Sequence, residues 1–408
     1  MPVPFFSSRQ LAIELTEPVV ILRGHPSDPT TDLLRGEVEL VLNKPTVTSS
    51  IQIKLVGKSR MLWPEGIGAR GTKLYHEKTI HEQTLLLQPS ETTLPAGLHR
   101  WSFEFLLSNR LAETIEDEMA KVFYYVTATV HRVGTYKLRC QRNILVLRTL
   151  TWSDFTSQSL RSPSIIMDRR LNGCDANICI ESSIASSGTQ FPIALTLLPH
   201  AKHVQLEAFS AVLTERRVYR LPEYNARRAE MYDFKLPLTT ATDLLEPTFA
   251  TEIPFDHLRK AVNTKVAHIP IQTVFQHRLV FTLPGCINLN HTTTFKEIDI
   301  RHYLKLNIEI SAPSDDNNRA RQQITIETPI TILDCRLKDD YSTLPTYEEA
   351  LMDPTLDHED EKPTGFFICP CYLEYRKKRR PCSRQEWLTI RQHLHSPPPP
   401  PYEHFLKN

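Results

Sequence analysis

The chain has 408 residues, with 48 Lys and Arg against 47 Asp and Glu and a net charge of +1. That balance argues against a general attraction to nucleic acid or acidic surfaces, and the length exceeds one ordinary domain. Eight cysteines, Cys140, Cys174, Cys179, Cys286, Cys335, Cys369, Cys371 and Cys382, are too scattered for the disulfide framework of a small secreted scaffold, so reduced thiols are expected.

The first residues, Met1 to Arg9, lack a long apolar run behind a basic flank. No later stretch approaches the roughly 18 apolar residues that span a bilayer, so a soluble intracellular protein is expected. From residue 10 to about 335, short alternating segments separated by Pro, Gly, Asn and Ser predict a mostly β chain. Val38, Leu40 and Leu42 alternate with polar neighbours, and Ile51, Ile53 and Leu55 repeat the pattern after an Asn43-Lys44-Pro45 turn. The same device recurs with Ile193, Leu195 and Leu197, a Pro199-His200 turn, then Val204, Leu206 and Ala208.

A second correspondence points to duplication. Trp101, Phe103 and Phe105 precede Tyr125, Thr127 and Thr129, as Leu279, Phe281 and Leu283 precede Tyr303, Lys305 and Asn307. One face of each strand pair buried is the pattern of stacked antiparallel sheets. The expectation is an all-β protein of two tandem sandwiches, at residues 8–150 and 165–335, joined by a Ser-rich linker at 151–164 and followed by a Pro-rich tail at 336–408 expected to be disordered. One helix is predicted, over Leu111 to Lys121, with Ser108 and Asn109 as candidate caps. Asn290-His291-Thr292 spells a glycosylation acceptor and reads as a loop.

Ten of the thirty prolines fall in the tail, which also holds acids from Glu348 to Glu361 and bases from Arg376 to Arg391. Two elements stand out there: Leu344-Pro345-Thr346-Tyr347 and Pro399-Pro400-Pro401-Tyr402. Each proline fixes its φ near the polyproline II value, so the segment loses little entropy on docking into an aromatic-lined groove such as that of a WW domain. The tyrosine adds a flat apolar body with a polar tip. Apolar residues after each tyrosine, Leu351 or Phe405 with Leu406, would serve as a further anchor on one helical turn. The tyrosines are 55 positions apart. A flexible chain of that length spans on the order of 40 Å, so two modules of one partner could be engaged together. Leu344, Pro345, Tyr347, Pro399, Pro400 and Tyr402 are the expected WW-binding residues.

Taken together, these features resemble a fungal α-arrestin, one of the arrestin-related trafficking adaptors. The resemblance is carried by Leu34-Arg35-Gly36-Glu37-Val38, by Leu94-Pro95-Ala96-Gly97-Leu98 through Trp101-Ser102-Phe103-Glu104-Phe105-Leu106-Leu107, by Tyr124-Tyr125-Val126, by Ile300-Arg301-His302-Tyr303-Leu304-Lys305-Leu306 and by the tail motifs. Ser108 departs from the Leu-Pro with which the family usually closes its Phe-x-Phe strand. The resemblance implies arrestin N and C domains of immunoglobulin-like type and an adaptor at the plasma membrane and endosomes. Its PY motifs would recruit a Nedd4-type HECT ubiquitin ligase to an integral membrane cargo, leading to ubiquitination and endocytosis or endosomal sorting. Two alternatives share the fold: a signalling scaffold for a seven-helix receptor, as in the fungal pH-response arrestins, and a retromer-like sorting-coat component.

Enzyme signatures fail on context. Gly66-Ile67-Gly68-Ala69-Arg70-Gly71 spells G-x-G-x-x-G but lacks an apolar helical face behind it, so a hairpin loop is expected. His76-Glu77 and His81-Glu82 are five apart, which suits exposed strand positions on opposite sides better than a zinc helix. No G-x-S-x-G elbow occurs. No enzyme activity, cofactor, metal or nucleic-acid partner is expected. Cys369-Pro370-Cys371 with Cys382 and His393 fits no standard zinc spacing. Cys369 and Cys371 instead sit before the cluster Arg376, Lys377, Lys378, Arg379 and Arg380, a combination that suits a peripheral membrane contact.

Overall fold

The computed structural model describes residues 10–65, 72–149, 164–171, 173–245, 253–263, 268–313 and 319–337. The first half builds ten strands: β1 (Leu11–Leu15), β2 (Val19–Arg23), β3 (Thr31–Leu42), β4 (Thr46–Glu65), β5 (Thr72–Gln88), β6 (Thr92–Leu94), β7 (Gly97–Ser108), β8 (Ile115–Glu116), β9 (Ala120–Arg132) and β10 (Leu138–Thr149). The second half adds β11 (Ile165–Leu171), β12 (Cys174–Ile180), β13 (Ile184–Ser186), β14 (Gln190–Pro199), β15 (Val204–Leu221), β16 (Ala226–Lys235) and β17 (Leu238–Asp243). A helix α1 (Phe255–Asn263) follows, then β18 (Ile269–Ile271), β19 (Phe275–Thr282), β20 (Thr293–Phe295), β21 (Ile298–Pro313) and β22 (Arg319–Leu333).

The halves repeat one topology, a small sheet stacked on a large one. The first small sheet runs β1-β3-β7, and its large partner runs β2-β10-β9-β4-β5 with β6 and β8 attached. The second pair runs β11-β12-β14-β19-β17 and β13-β22-β21-β15-β16. In each large sheet the first strand pairs parallel to the last, β2 with β10 and β13 with β22, while the remaining ladders are antiparallel. This repetition is the physical content of the paired motifs: β3-β4 and β14-β15 are the same turn, and β7-β9 and β19-β21 the same crossing.

Period-2 alternation explains the cores. Val38 and Leu40 of β3 and Ile51, Ile53 and Leu55 of β4 are all buried, and Ile193, Leu195 and Leu197 of β14 play the same part in the second half. Each such side chain contributes roughly 1.5–3 kcal/mol on leaving water. The first core also takes in Tyr219, Leu221, Ile298 and Ile300 from the second half, so the two sandwiches share an apolar floor.

The predicted helix over Leu111 to Lys121 is absent; that stretch is an irregular crossing that ends in β8 and the start of β9. Tertiary partners outweigh local propensity there. Arg148 donates to the backbone carbonyls of Asn109 (2.7 Å) and Leu111 (2.6 Å) and to the Glu113 carboxylate (3.1 Å). Thr114 exchanges two hydrogen bonds with Val146, and Ile115 drops into the core. The helix that does form, α1, buries Leu258, Ala261 and Val262.

Candidate binding face and domain seam

The outward face of the first large sheet is concave. It forms a groove of about 360 Å³ lined by Gln52, Lys54, Val56 and Lys58 of β4, Thr79 and Glu82 of β5, Tyr125, Thr127, Thr129 and His131 of β9, and Lys137 and Arg139 from the β10 side. The ladder explains the grouping: Lys54 lies opposite Thr127, Val56 opposite Tyr125, and Arg139 opposite Thr129 on the other flank. Four cations face one lining carboxylate, Glu82, which pairs with Lys54 at 2.7 Å. Lys58 binds Glu77, which also accepts from Arg60 at 2.7 Å; these hydrogen bonds hold the Glu77 carboxyl below its usual range. Lys137 and Arg139 are exposed. Thr127, only 5% exposed, lines the groove, and its hydroxyl has no hydrogen-bond partner. The cations around this floor suit an incoming acceptor.

At the junction of the sandwiches a second set of polar groups is buried. The turn between β8 and β9 projects Asp117 into the second half. There Asp117 accepts from Arg217 (2.8 Å), from the Tyr219 hydroxyl (2.7 Å) and from the Asn290 side-chain amide (2.9 Å). Arg217 also binds Glu215, and its guanidinium lies 4.3 Å from the Tyr232 ring centroid. Burial alone would lower the Arg217 pKa, but Glu215 and Asp117 raise it further, so the guanidinium stays charged. Burial, with Asp117 adding to it, pushes the Tyr219 hydroxyl up, so it remains a donor. Glu215 accepts further bonds from the Asn290 backbone N–H (2.8 Å) and from His302 (2.9 Å). Neighbouring ties cross the same seam: Lys78 reaches Glu223 and Glu297, and Arg336 reaches Glu116 at 2.9 Å.

His302 is buried, and desolvation lowers its pKa despite the Glu215 bond; burial does the same for His277 and His81. These rings stay neutral in the folded protein at pH values where an unfolded histidine, near 6.5, already takes up a proton. Stability should therefore hold above pH 6.5 and fall as the pH drops below it, by up to about 1.4 kcal/mol per pH unit for each such ring until the folded group protonates. Thermal unfolding between pH 7.5 and 5.5 checks this; a flat profile, or a rising Tm on acidification, would contradict it.

The expected WW-binding residues Leu344, Pro345, Tyr347, Pro399, Pro400 and Tyr402 lie outside the described residues, as do Cys369, Cys371, Arg376, Lys377, Lys378, Arg379 and Arg380. So does the Gly66 to Gly71 string, though its flanking strands β4 and β5 pair antiparallel. His76 and His81 are half-buried on β5, not exposed as the alternation predicts. A register shift between Gly57 and Lys58 puts the alternation of β5 out of phase, and His76 meets Tyr224 edge-on at 5.0 Å. Among the described residues no group of three or more His, Cys, Asp or Glu is placed to hold a metal ion. Sequence reasoning missed the groove and the seam. The alternation of Tyr125, Thr127 and Thr129 was visible, but its neighbour Lys54 comes from β4, distant in sequence.

The profile of the arrestin (or S-antigen) N-terminal domain matches residues 21–153, which is most of the first sandwich. Curated relatives extend the likeness through both halves. A Schizosaccharomyces pombe protein named as an arrestin-related trafficking adapter is 28% identical over 89% of this chain and 59% of its own length. A second S. pombe protein so named is 24% identical over 84% of this chain and 72% of its own. Over both sandwiches the chain is similar to fungal proteins named as arrestin-related trafficking adapters. Another relative, the HECT-type ubiquitin ligase-interacting protein creD of Emericella nidulans, is 22% identical over 80% of this chain and 54% of its own length. This chain thus spans little more than half of two of these three relatives. The profile match covers β3 to β10, most of the first two-sheet sandwich.

Proposed function

We propose that this protein is an adaptor of the α-arrestin kind that brings a HECT-type ubiquitin ligase to integral membrane cargo. The observation that carries the reading is the pair of proline-tyrosine elements, Leu344 to Tyr347 and Pro399 to Tyr402, following a two-sandwich arrestin body. The names of the relatives, trafficking adapters and a ligase-interacting protein, support it. The mechanism is proximity. A ligase held by its WW modules sees the lysines of a bound cargo at an effective concentration far above that in solution, with no chemistry on the adaptor itself. The groove supplies the opposite end of the bridge: its exposed cations Lys137 and Arg139 fit a carboxylate-rich cytosolic segment of the cargo. Sorting from plasma membrane and endosomes would follow, aided by a membrane contact of Cys369, Cys371 and Arg376 to Arg380.

Binding of recombinant Nedd4-family WW modules to the full chain tests the reading. Tyr347→Ala or Tyr402→Ala alone should weaken binding of a tandem pair of WW modules by tenfold or more, and the two changes together should abolish it. Unchanged binding by the double variant would sink the adaptor proposal.

A further inference from the structure

The outer edge of the first small sheet is a strand whose side chains match a second copy of themselves. We infer that β7 (Gly97–Ser108) is a docking edge for another copy of this chain, which adds to it antiparallel about a two-fold axis at Ser102. The inference stands apart from the ligase reading and concerns residues which that reading does not use.

The backbone direction comes first. Strand β7 ends the sheet β1-β3-β7. On β3 the Arg35 carbonyl accepts from the Thr16 N–H, and the Val41 N–H donates to the Gln10 carbonyl, both toward the β1 side. Backbone groups alternate in direction along a strand, so Leu34, Gly36, Val38 and Leu40 face β7 and bond to their ladder partners Phe105, Phe103, Trp101 and His99. Leu98, Arg100, Ser102, Glu104 and Leu106 therefore turn their N–H and C=O groups to the outer edge. The Leu106 carbonyl agrees: it accepts from the Gln83 side chain at 3.1 Å, and a carbonyl keeps a second lone pair for another donor. An edge of such groups is a template for one more strand.

Side chains then select the occupant. The same five residues are all exposed. Arg100 and Glu104 lie two residues to either side of Ser102, and Leu98 and Leu106 lie four. An antiparallel copy centred on Ser102 thus sets each Arg100 against Glu104 of the other copy, and each Leu98 against its Leu106. Strand β3 extends both rows. Arg100 pairs with Glu39 at 2.8 Å and Glu104 with Arg35 at 2.9 Å, while Val41 lies opposite Leu98 and Leu33 opposite Leu106. Across the combined sheet one row reads Glu39, Arg100, Glu104, Arg35, alternating in sign, and another reads Val41, Leu98, Leu106, Leu33. These four apolar side chains are 40–56% exposed in the single chain, and cross-strand neighbours of their own kind take them partly out of water. A slide of two residues in either sense sets a leucine against a charge, and a slide of one sets the outward row against the inward one. Charges that keep other strands off this edge favour this one register. A single strand pair buries less than the roughly 1,200–2,000 Å² of a stable interface, so the dimer is weak, with a dissociation constant on the order of 10 μM.

The test uses the full chain. Sedimentation from about 1 to 100 μM should show the average mass rising toward that of two chains. Arg100→Glu and Glu104→Arg, each alone, place like charges opposite one another and should weaken dimerisation at least tenfold, with circular dichroism confirming the fold. An equimolar mixture of these two variants should restore it, because every charge then meets its opposite. Position is read separately by Ser102→Cys. At the axis the paired Cα atoms stand about 5.5 Å apart, within disulfide range, whereas the two copies of position 104 are offset by four residues, about 13 Å. Mild oxidation should therefore link the Ser102→Cys chain into a reducible dimer much faster than the Glu104→Cys chain or the unaltered one. A mass that stays at one chain up to about 100 μM would overturn the inference. So would a mixture that dimerises no better than its components, or equal cross-linking at positions 102 and 104.

Discussion

Replacing Arg217 with methionine should cost the protein about 3–5 kcal/mol, the usual penalty for removing one partner of a buried ion network. Arg217 is the only cation among the described residues bonded to both Asp117 and Glu215, and both carboxylates are buried. Methionine approximates the stem but leaves the two charges uncompensated, and Asp117 belongs to one sandwich while Glu215 belongs to the other. The loss should therefore appear as loosening between the halves as well as a lower Tm. Sign distinguishes this from a packing defect. In the variant the carboxylates gain from taking up protons, so its deficit relative to the unaltered protein should narrow between pH 7 and pH 5. Adding Asp117→Asn and Glu215→Gln should recover part of the stability at pH 7, because neutral amides cost less to bury. Denaturant titration of the three proteins across that pH range measures all of this; a deficit independent of pH would refute the charge argument.

The second large effect is expected at Gly57. A Cβ there would stand 2.4 Å from Cε1 and 2.7 Å from Cδ1 of Tyr124. That ring has no room to retreat: it is 1% exposed, and its hydroxyl donates to the Ala112 carbonyl at 2.7 Å. Gly57→Ala should cost about 3 kcal/mol, combining overpacking with strain on the buried hydrogen bond. Tyr124→Leu should cost a comparable amount alone, yet the double variant should be more stable than the two losses predict, because the clash is gone. Additive losses in the double-mutant cycle would show that Gly57 matters for some reason other than the tyrosine.

Gly57 also shows the limits of local reading. A glycine in the middle of a 20-residue strand looks like a weak point or a bulge. The ladder does shift there, but the need for a bare Cα comes from Tyr124, 67 positions on and directly opposite in the neighbouring strand. The segment from Leu111 to Lys121 fails in the opposite direction: its residues suit a helix, while Arg148 and Val146 supply backbone partners that favour an irregular crossing. Strict alternation would leave His76 and His81 exposed, and one register shift voids that alternation.

Alternation and turn chemistry were enough to establish an all-β chain with a repeated strand-turn-strand unit, because period 2 and proline-marked turns act between neighbours. The proline-tyrosine elements were legible for the same reason, since a fixed proline φ beside a tyrosine is a property of four consecutive residues. The cationic groove, the unpartnered Thr127 hydroxyl and the Asp117-Arg217 seam were not. Each joins side chains from strands separated by tens to more than a hundred residues, and their charges and burial acquire meaning once the sheets stack and the two sandwiches meet.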